Sequence, residues 1–125
     1  MSDSFAVQAF QEPAPEGMTI AEGYLNTDLN ARYIPNPPAT HLFAANSSAI
    51  EGIQKGDILI VDRSLIPRQG AVIIADLEGE YQVRRFIRTG SRPALVTDHA
   101  QDAPFYPDEA SGFCCGVVTH AIHPV

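Results

Sequence analysis

Lysine is almost missing from this 125-residue chain: Lys55 is the only one, beside seven arginines. There is no tryptophan, only two methionines and two cysteines. No uninterrupted apolar run approaches the roughly 20 residues of a membrane-spanning helix. Each scarcity excludes something. With 8 basic against 15 acidic residues, a formal net charge of -7 and a pI near 4.8, the balance argues against a direct binder of duplex DNA or an anionic bilayer, since phosphate binding draws on clustered Lys and Arg. Cys114 and Cys115 are neighbours, so in a strand their side chains face opposite ways and no disulfide framework is available. Both are expected to be reduced. The N-terminus carries no basic-then-apolar leader, and a cytoplasmic location is expected.

What is present reads as one β domain with a loose arm. At 45% hydrophobic residues, a chain of this size buries roughly two-thirds of its unfolded surface, enough for one core. Residues 1–23 carry Pro13, Pro15, Gly17 and several acids with little periodicity, and are expected to form an extended arm. Residues 24–125 hold the β domain. Short apolar or alternating runs over His41 to Ala45, Ile58 to Asp62, Ala71 to Leu77, Glu80 to Ile87, Ala94 to Thr97 and Phe113 to Ile122 predict strands spaced as in an all-β barrel or sandwich. Leu77-Glu78-Gly79-Glu80 is a hairpin signal, since Gly79 can take positive φ. Pro35, Pro37 and Pro38 are expected to keep the approach to the first strand extended.

The segments that carry chemistry lie around two of these strands. Asn46 to Asp57 (NSSAIEGIQKGD) runs into Ile58-Leu59-Ile60-Val61-Asp62, and Glu78 to Ile87 (EGEYQVRRFI) follows the next strand. Gly116 to Ile122 (GVVTHAI) closes the chain's last run, and Asp28-Leu29-Asn30 precedes Pro38-Ala39-Thr40. Together they resemble the LexA/UmuD family of Ser-Lys self-cleaving proteins, most closely the UmuD-type translesion accessory proteins, over about Gly23 to the end. In that family a Ser-Met pair is followed by Gly-Ile and, nine residues after the Ser, by Gly-Asp and a strand. Read without gaps, the nucleophile position is Ser47, with Gly52-Ile53 and Gly56-Asp57 in register; a one-residue deletion would move it to Ser48. The family's Val-Lys-Arg or Val-Lys-Lys is matched by Val83-Arg84-Arg85, so Arg84 replaces the general-base lysine.

That replacement is not conservative. A serine hydroxyl needs a base to take its proton, and lysine serves only when burial lowers its pKa toward neutrality. Arginine stays charged, so it donates hydrogen bonds but cannot accept that proton. The resemblance would bring the Arg84 guanidinium close to Ser47, where it can donate to Oγ. Lys55 lies in the turn before Gly56-Asp57 and is expected to point to water. The resemblance further implies cutting at a Cys-Gly or Ala-Gly bond in the arm. Here Gly17 and Gly23 follow Glu16 and Glu22, and the single Cys-Gly pair, Cys115-Gly116, falls inside a strand. A degenerate self-cleaving peptidase is therefore expected, and the short arm is more like a processed form than a precursor. An arm of this kind cannot supply the helix-turn-helix of a repressor.

The function implied is a homodimeric UmuD-like accessory protein of error-prone translesion synthesis in the DNA-damage (SOS) response. An error-prone DNA polymerase and a recombinase filament are its implied partners. No cofactor and no metal are expected: His120 and His123 have the spacing of a metal pair but no third ligand nearby. Two other readings stay open. One is an active serine hydrolase using Ser47 or Ser48 with another base, for which His41, His99, His120 and His123 are the candidates. The other is a structural β interaction domain unrelated to repair. Two local features have plain structural readings. Ser48 with Glu51 fits the Ser-x-x-Glu cap of a helical turn. The arginines at 84, 85, 88 and 92 form a basic run that is either a docking patch for an acidic partner or scattered surface charge.

Overall fold

The computed structural model describes residues 28–108 and 112–125. The chain divides into two compact units, Met1–Arg32 and Tyr33–Val125. The described residues open with a short helix, α1 (Leu29–Tyr33). Asp28 caps it: Oδ1 accepts from the Asn30 amide at 3.0 Å and the carbonyl accepts from the Arg32 amide at 3.0 Å. The arm expected over residues 1–23 lies outside the described residues.

The second unit is mainly β. Its strands are β1 (Thr40–Ala44), β2 (Ile58–Asp62), β3 (Val72–Leu77), β4 (Glu80–Thr89), β5 (Arg92–Val96) and β6 (Cys114–Ile122). All pair antiparallel in one six-stranded sheet of order β1-β2-β6-β3-β4-β5. β1 and β5 stand at its two ends. The sheet is open, so of the forms expected from the spacing a closed barrel is not the one adopted. The outer side of β5 is shielded locally, because Leu95 and Phe105 exchange both main-chain hydrogen bonds at 2.8 and 2.9 Å.

Strand positions follow the apolar pattern to within one or two residues. β2 is a continuous run with Leu59, Ile60, Val61 and Asp62 all buried, as a strand covered on both faces requires. The turn between β3 and β4 has positive φ at both central residues, 55° at Glu78 and 87° at Gly79. That is the twist-matched type I′ geometry, and the Asp76 carboxylate steadies it by accepting from the Gly79 amide at 2.9 Å. The approach to β1 departs from expectation. Pro37–Ala39 form a 3-10 turn rather than an extended segment, because proline's fixed φ also suits the first positions of a helical turn.

Two apolar clusters occupy the sheet faces. Leu59, Val61, Ile74 and Val83 pack with Ala45, Ile50 and Ile53 on one; Ile73, Ala75, Phe86 and Leu95 form the other. Cys115 packs against the first and Cys114 against the second, opposite ways as their adjacency requires, and both are free thiols. β6 binds β2 and β3 together with register shifts in both ladders. Gly116 sits at this junction. A Cβ placed on it would lie 2.5 Å from Val61 Cγ1, and Val61 is fully buried. Gly116→Ala is therefore expected to cost about 1–3 kcal/mol by overpacking. Urea unfolding monitored by circular dichroism measures this, and an unchanged midpoint would contradict the close approach.

Candidate functional site

The serine-bearing segment is the loop between β1 and β2. Its neck extends the ladder, with the Ala45 amide donating to Asp57 O and the Gly56 amide to Ala45 O, each at 2.8 Å. Buried Ile50 and Ile53 fix it to the sheet. Its far end closes on Asp57, 3% exposed. Asp57 Oδ2 accepts from the Gln54 amide at 2.8 Å and lies 3.2 Å from His123 Nδ1. A buried carboxylate demands such partners.

The two serines differ in kind. Ser47 Oγ is buried and has no hydrogen-bond partner among the described residues. Leaving such a group unsatisfied costs about 1–3 kcal/mol, so it asks for an explanation other than packing. Ser48 is exposed, and its Oγ accepts from the Lys55 amide at 3.3 Å. The helix-cap reading of Ser48 and Glu51 does not hold. Residues 51 and 52 form a turn closed by the Ile53 amide donating to Ile50 O at 3.0 Å, and the Glu51 amide is taken by Asp98 Oδ2 at 2.8 Å. Lys55 is exposed, as expected.

Arg84 does not donate to Ser47. Its Nη1 donates instead to the adjacent Val83 O at 2.7 Å, because the flexible side chain finds an unpaired strand carbonyl within reach. β5 pairs with β4 only from Arg85 onward, so the preceding part of that β4 edge is open to other partners. Asn46 Nδ2 reaches Tyr81 O there at 3.5 Å. Carbonyls two residues apart on a strand point the same way, roughly 7 Å apart. The residue before Ser47 and the Arg84 guanidinium thus meet the same edge of β4, with no hydrogen bond between Arg84 and either serine.

Arg85 does reach the loop, through Asp98. Nε donates to Oδ1 and Nη2 to Oδ2, both at 2.9 Å, and Nη1 donates to Gly70 O at 2.9 Å. His99 follows, its Nε2 donating to Ser48 O at 3.1 Å. A carbonyl only accepts, so that nitrogen carries the proton and is not free to act as base there. Sequence reasoning counted His99 among four histidines without placing it, and it missed Asp98; the one cue was a polar Thr-Asp-His run directly after an apolar strand. The remaining histidines lie elsewhere: His120 stacks edge-on against Tyr33 at 4.8 Å and is exposed. His120 and His123 point to different partners, and no metal-holding group of three ligands occurs among the described residues. The basic run disperses too, with Arg92 over the Tyr106 ring at 4.1 Å and Arg88 beside Phe86.

Next to the loop, Tyr81 also lines an open cleft of about 600 Å³ with His41, Phe43, Arg63, Cys114 and Cys115. Burial pushes both thiols up, and Asp76 adds to the effect at Cys115. Neither is a ready nucleophile at neutral pH. No helix among the described residues is long and apolar enough to cross a membrane.

The Arg85 side chain and the Glu51 amide hold the Asp98 carboxyl down at about 2. A depressed folded-state pKa means the contribution is complete above the usual 3.8 and is lost as pH falls through about 2. Arg85→Met is expected to return the Asp98 midpoint toward 3.8, measured by side-chain carboxyl NMR titration. A midpoint unchanged from the wild type would exclude Arg85 as the cause.

Residues 8–116 match the family described as Peptidase S24-like. Protein ImpA of Salmonella typhimurium is 40% identical over 100 residues, covering 77% of this chain and 67% of its own length. Protein MucA of Escherichia coli is 36% identical over 114 residues, 84% of this chain and 77% of its own. Protein SamA of Salmonella typhimurium (strain LT2) is 37% identical over 98 residues, 77% and 68% respectively.

Proposed function

The chain belongs to the Peptidase S24-like family, and we propose that it is a UmuD-like accessory protein of error-prone translesion synthesis in the DNA-damage (SOS) response that no longer cleaves itself. In this reading Ser47 holds the nucleophile position and Arg84 the place of the general base. Relatives at 36–40% identity over most of the chain support the family role. The observation that carries the degenerate site is Ser47 itself. Its hydroxyl is buried and has no hydrogen-bond partner among the described residues, while the residue at the proposed base position is an arginine engaged with Val83 O. Ser48, exposed and bonded to a main-chain amide, fits the nucleophile position less well.

An arginine there leaves the hydroxyl without a proton acceptor, so the protein acts by binding. The reading carries with it a homodimer, an arm over residues 1–23 ahead of a β domain over 24–125, a cytoplasmic location, and an error-prone DNA polymerase and recombinase filament as partners. One observation favours a hydrolase instead, the nearness of His99 to Ser48. Its Nε2 is committed to the Ser48 carbonyl rather than to Oγ, which weighs against that alternative.

The test is affinity capture of the tagged full chain from cells of its source under DNA damage, with sedimentation of the purified protein. The expected result is a dimer at micromolar concentration that brings down an error-prone polymerase. A monomer that captures no polymerase would overturn the proposal.

A further inference from the structure

The contact between the serine loop and the turn after β5 is more elaborate than packing requires. Two consecutive residues, Asp98 and His99, take up three main-chain groups of the loop. Asp98 Oδ2 accepts from the Glu51 amide, the Asp98 amide donates to Ala49 O at 2.8 Å, and His99 Nε2 donates to Ser48 O. Asp98 is itself gripped by both prongs of Arg85, whose third nitrogen is tied to Gly70 O. Three chain segments far apart in sequence meet at one carboxylate.

The Arg85–Asp98 side chains are 32% and 22% exposed, so solvent screening leaves the pair little value as a simple stabilising ion pair. Its geometry is where its specificity lies. A planar guanidinium bonded to both oxygens fixes the plane of the carboxylate, which aims a remaining lone pair at the Glu51 amide. The tie to Gly70 O holds the fork against the β2–β3 connection. Neither residue bonds to a serine hydroxyl.

We infer that Arg85 and Asp98 are positioning residues: they set the main-chain path from Ser48 to Glu51 and, through it, the direction of the adjacent Ser47 hydroxyl. This rests on Ser47 holding the nucleophile position. The two arginines of Val83-Arg84-Arg85 then have separate roles. Arg84 stands where the base is lost, and Arg85 preserves the frame the nucleophile was held in. A lysine restored at 84 would meet a loop already shaped for it.

Two measurements on the full chain test this. In Asp98→Ala, amide hydrogen exchange at Glu51 is expected to speed up by about tenfold or more, the loss of a charge-assisted hydrogen bond, while Leu59, Val61 and Ile73 exchange as before. Asp98→Asn, which keeps a neutral acceptor in place, should show a smaller rise and stands in if the alanine variant does not fold. In an Arg84→Lys background, labelling of Ser47 by a fluorophosphonate at alkaline pH should fall about tenfold on adding Asp98→Ala, with the pH midpoint of labelling unchanged, as loss of orientation rather than of the base requires. Unchanged Glu51 exchange overturns the inference, as does unchanged labelling alongside faster exchange. If Arg84→Lys alone never labels, the serine–lysine reading fails, and the Glu51 exchange rate decides the clamp by itself.

Discussion

The insertion of β6 between β2 and β3 is the contact on which the rest depends. Without it the chain would offer a β1–β2 pair and a separate β3-β4-β5 meander, joined in sequence but with no shared ladder. The serine loop belongs to the first of these, while Arg84, Arg85 and Asp98 belong to the second. β6 brings them together, and at Gly116, the ladder partner of Ile74, it lies so close to Val61 that a Cβ would stand 2.5 Å from Val61 Cγ1. The site is therefore a product of long-range pairing between the chain's last strand and strands some 40 to 60 residues earlier, the kind of contact whose loop-closure cost slows folding.

Much of this framework was legible in the residues. The alternation of β4, the apolar run of β2 and the acidic-glycine turn at Glu78-Gly79 each specify a local geometry that tertiary contacts leave alone. Of the motif segments, Ser47 falls in the β1–β2 loop and Val83-Arg84-Arg85 on β4. What local pattern could not show is what lies across from a side chain. Ser48-x-x-Glu51 looks like a cap because nothing in the sequence announces that the Glu51 amide is already taken by Asp98 from 47 residues away. For the same reason Arg84 was expected on Ser47, whereas a free strand carbonyl one residue away offered a nearer acceptor. The prolines before β1 were misjudged because proline's φ serves both an extended chain and a helical turn.

In the proposed reading the chemistry narrows to one residue, Arg84, in one environment. A buried hydroxyl with no partner among the described residues is a costly thing to keep, and in the proposed reading it is what remains of a nucleophile whose proton has nowhere to go. Lysine in that place could release its own proton under burial and accept another. Arginine cannot, and here its guanidinium turns to the backbone of its own strand. Around this point the supports of the loop remain: Ile50 and Ile53 underneath, Asp57 with His123 at one end, and Asp98 with Arg85 at the other. In the proposed reading, a frame kept with arginine in place of the base fits a protein that uses the fold as a surface for partners.

Self-cleavage is the property this account denies most directly. The intact mass of the purified full chain, followed by mass spectrometry during incubation at alkaline pH and with activated recombinase filament, is expected to remain constant. A shorter product that forms under either condition and disappears in Ser47→Ala or Ser48→Ala would contradict the account and make the protein an active serine peptidase.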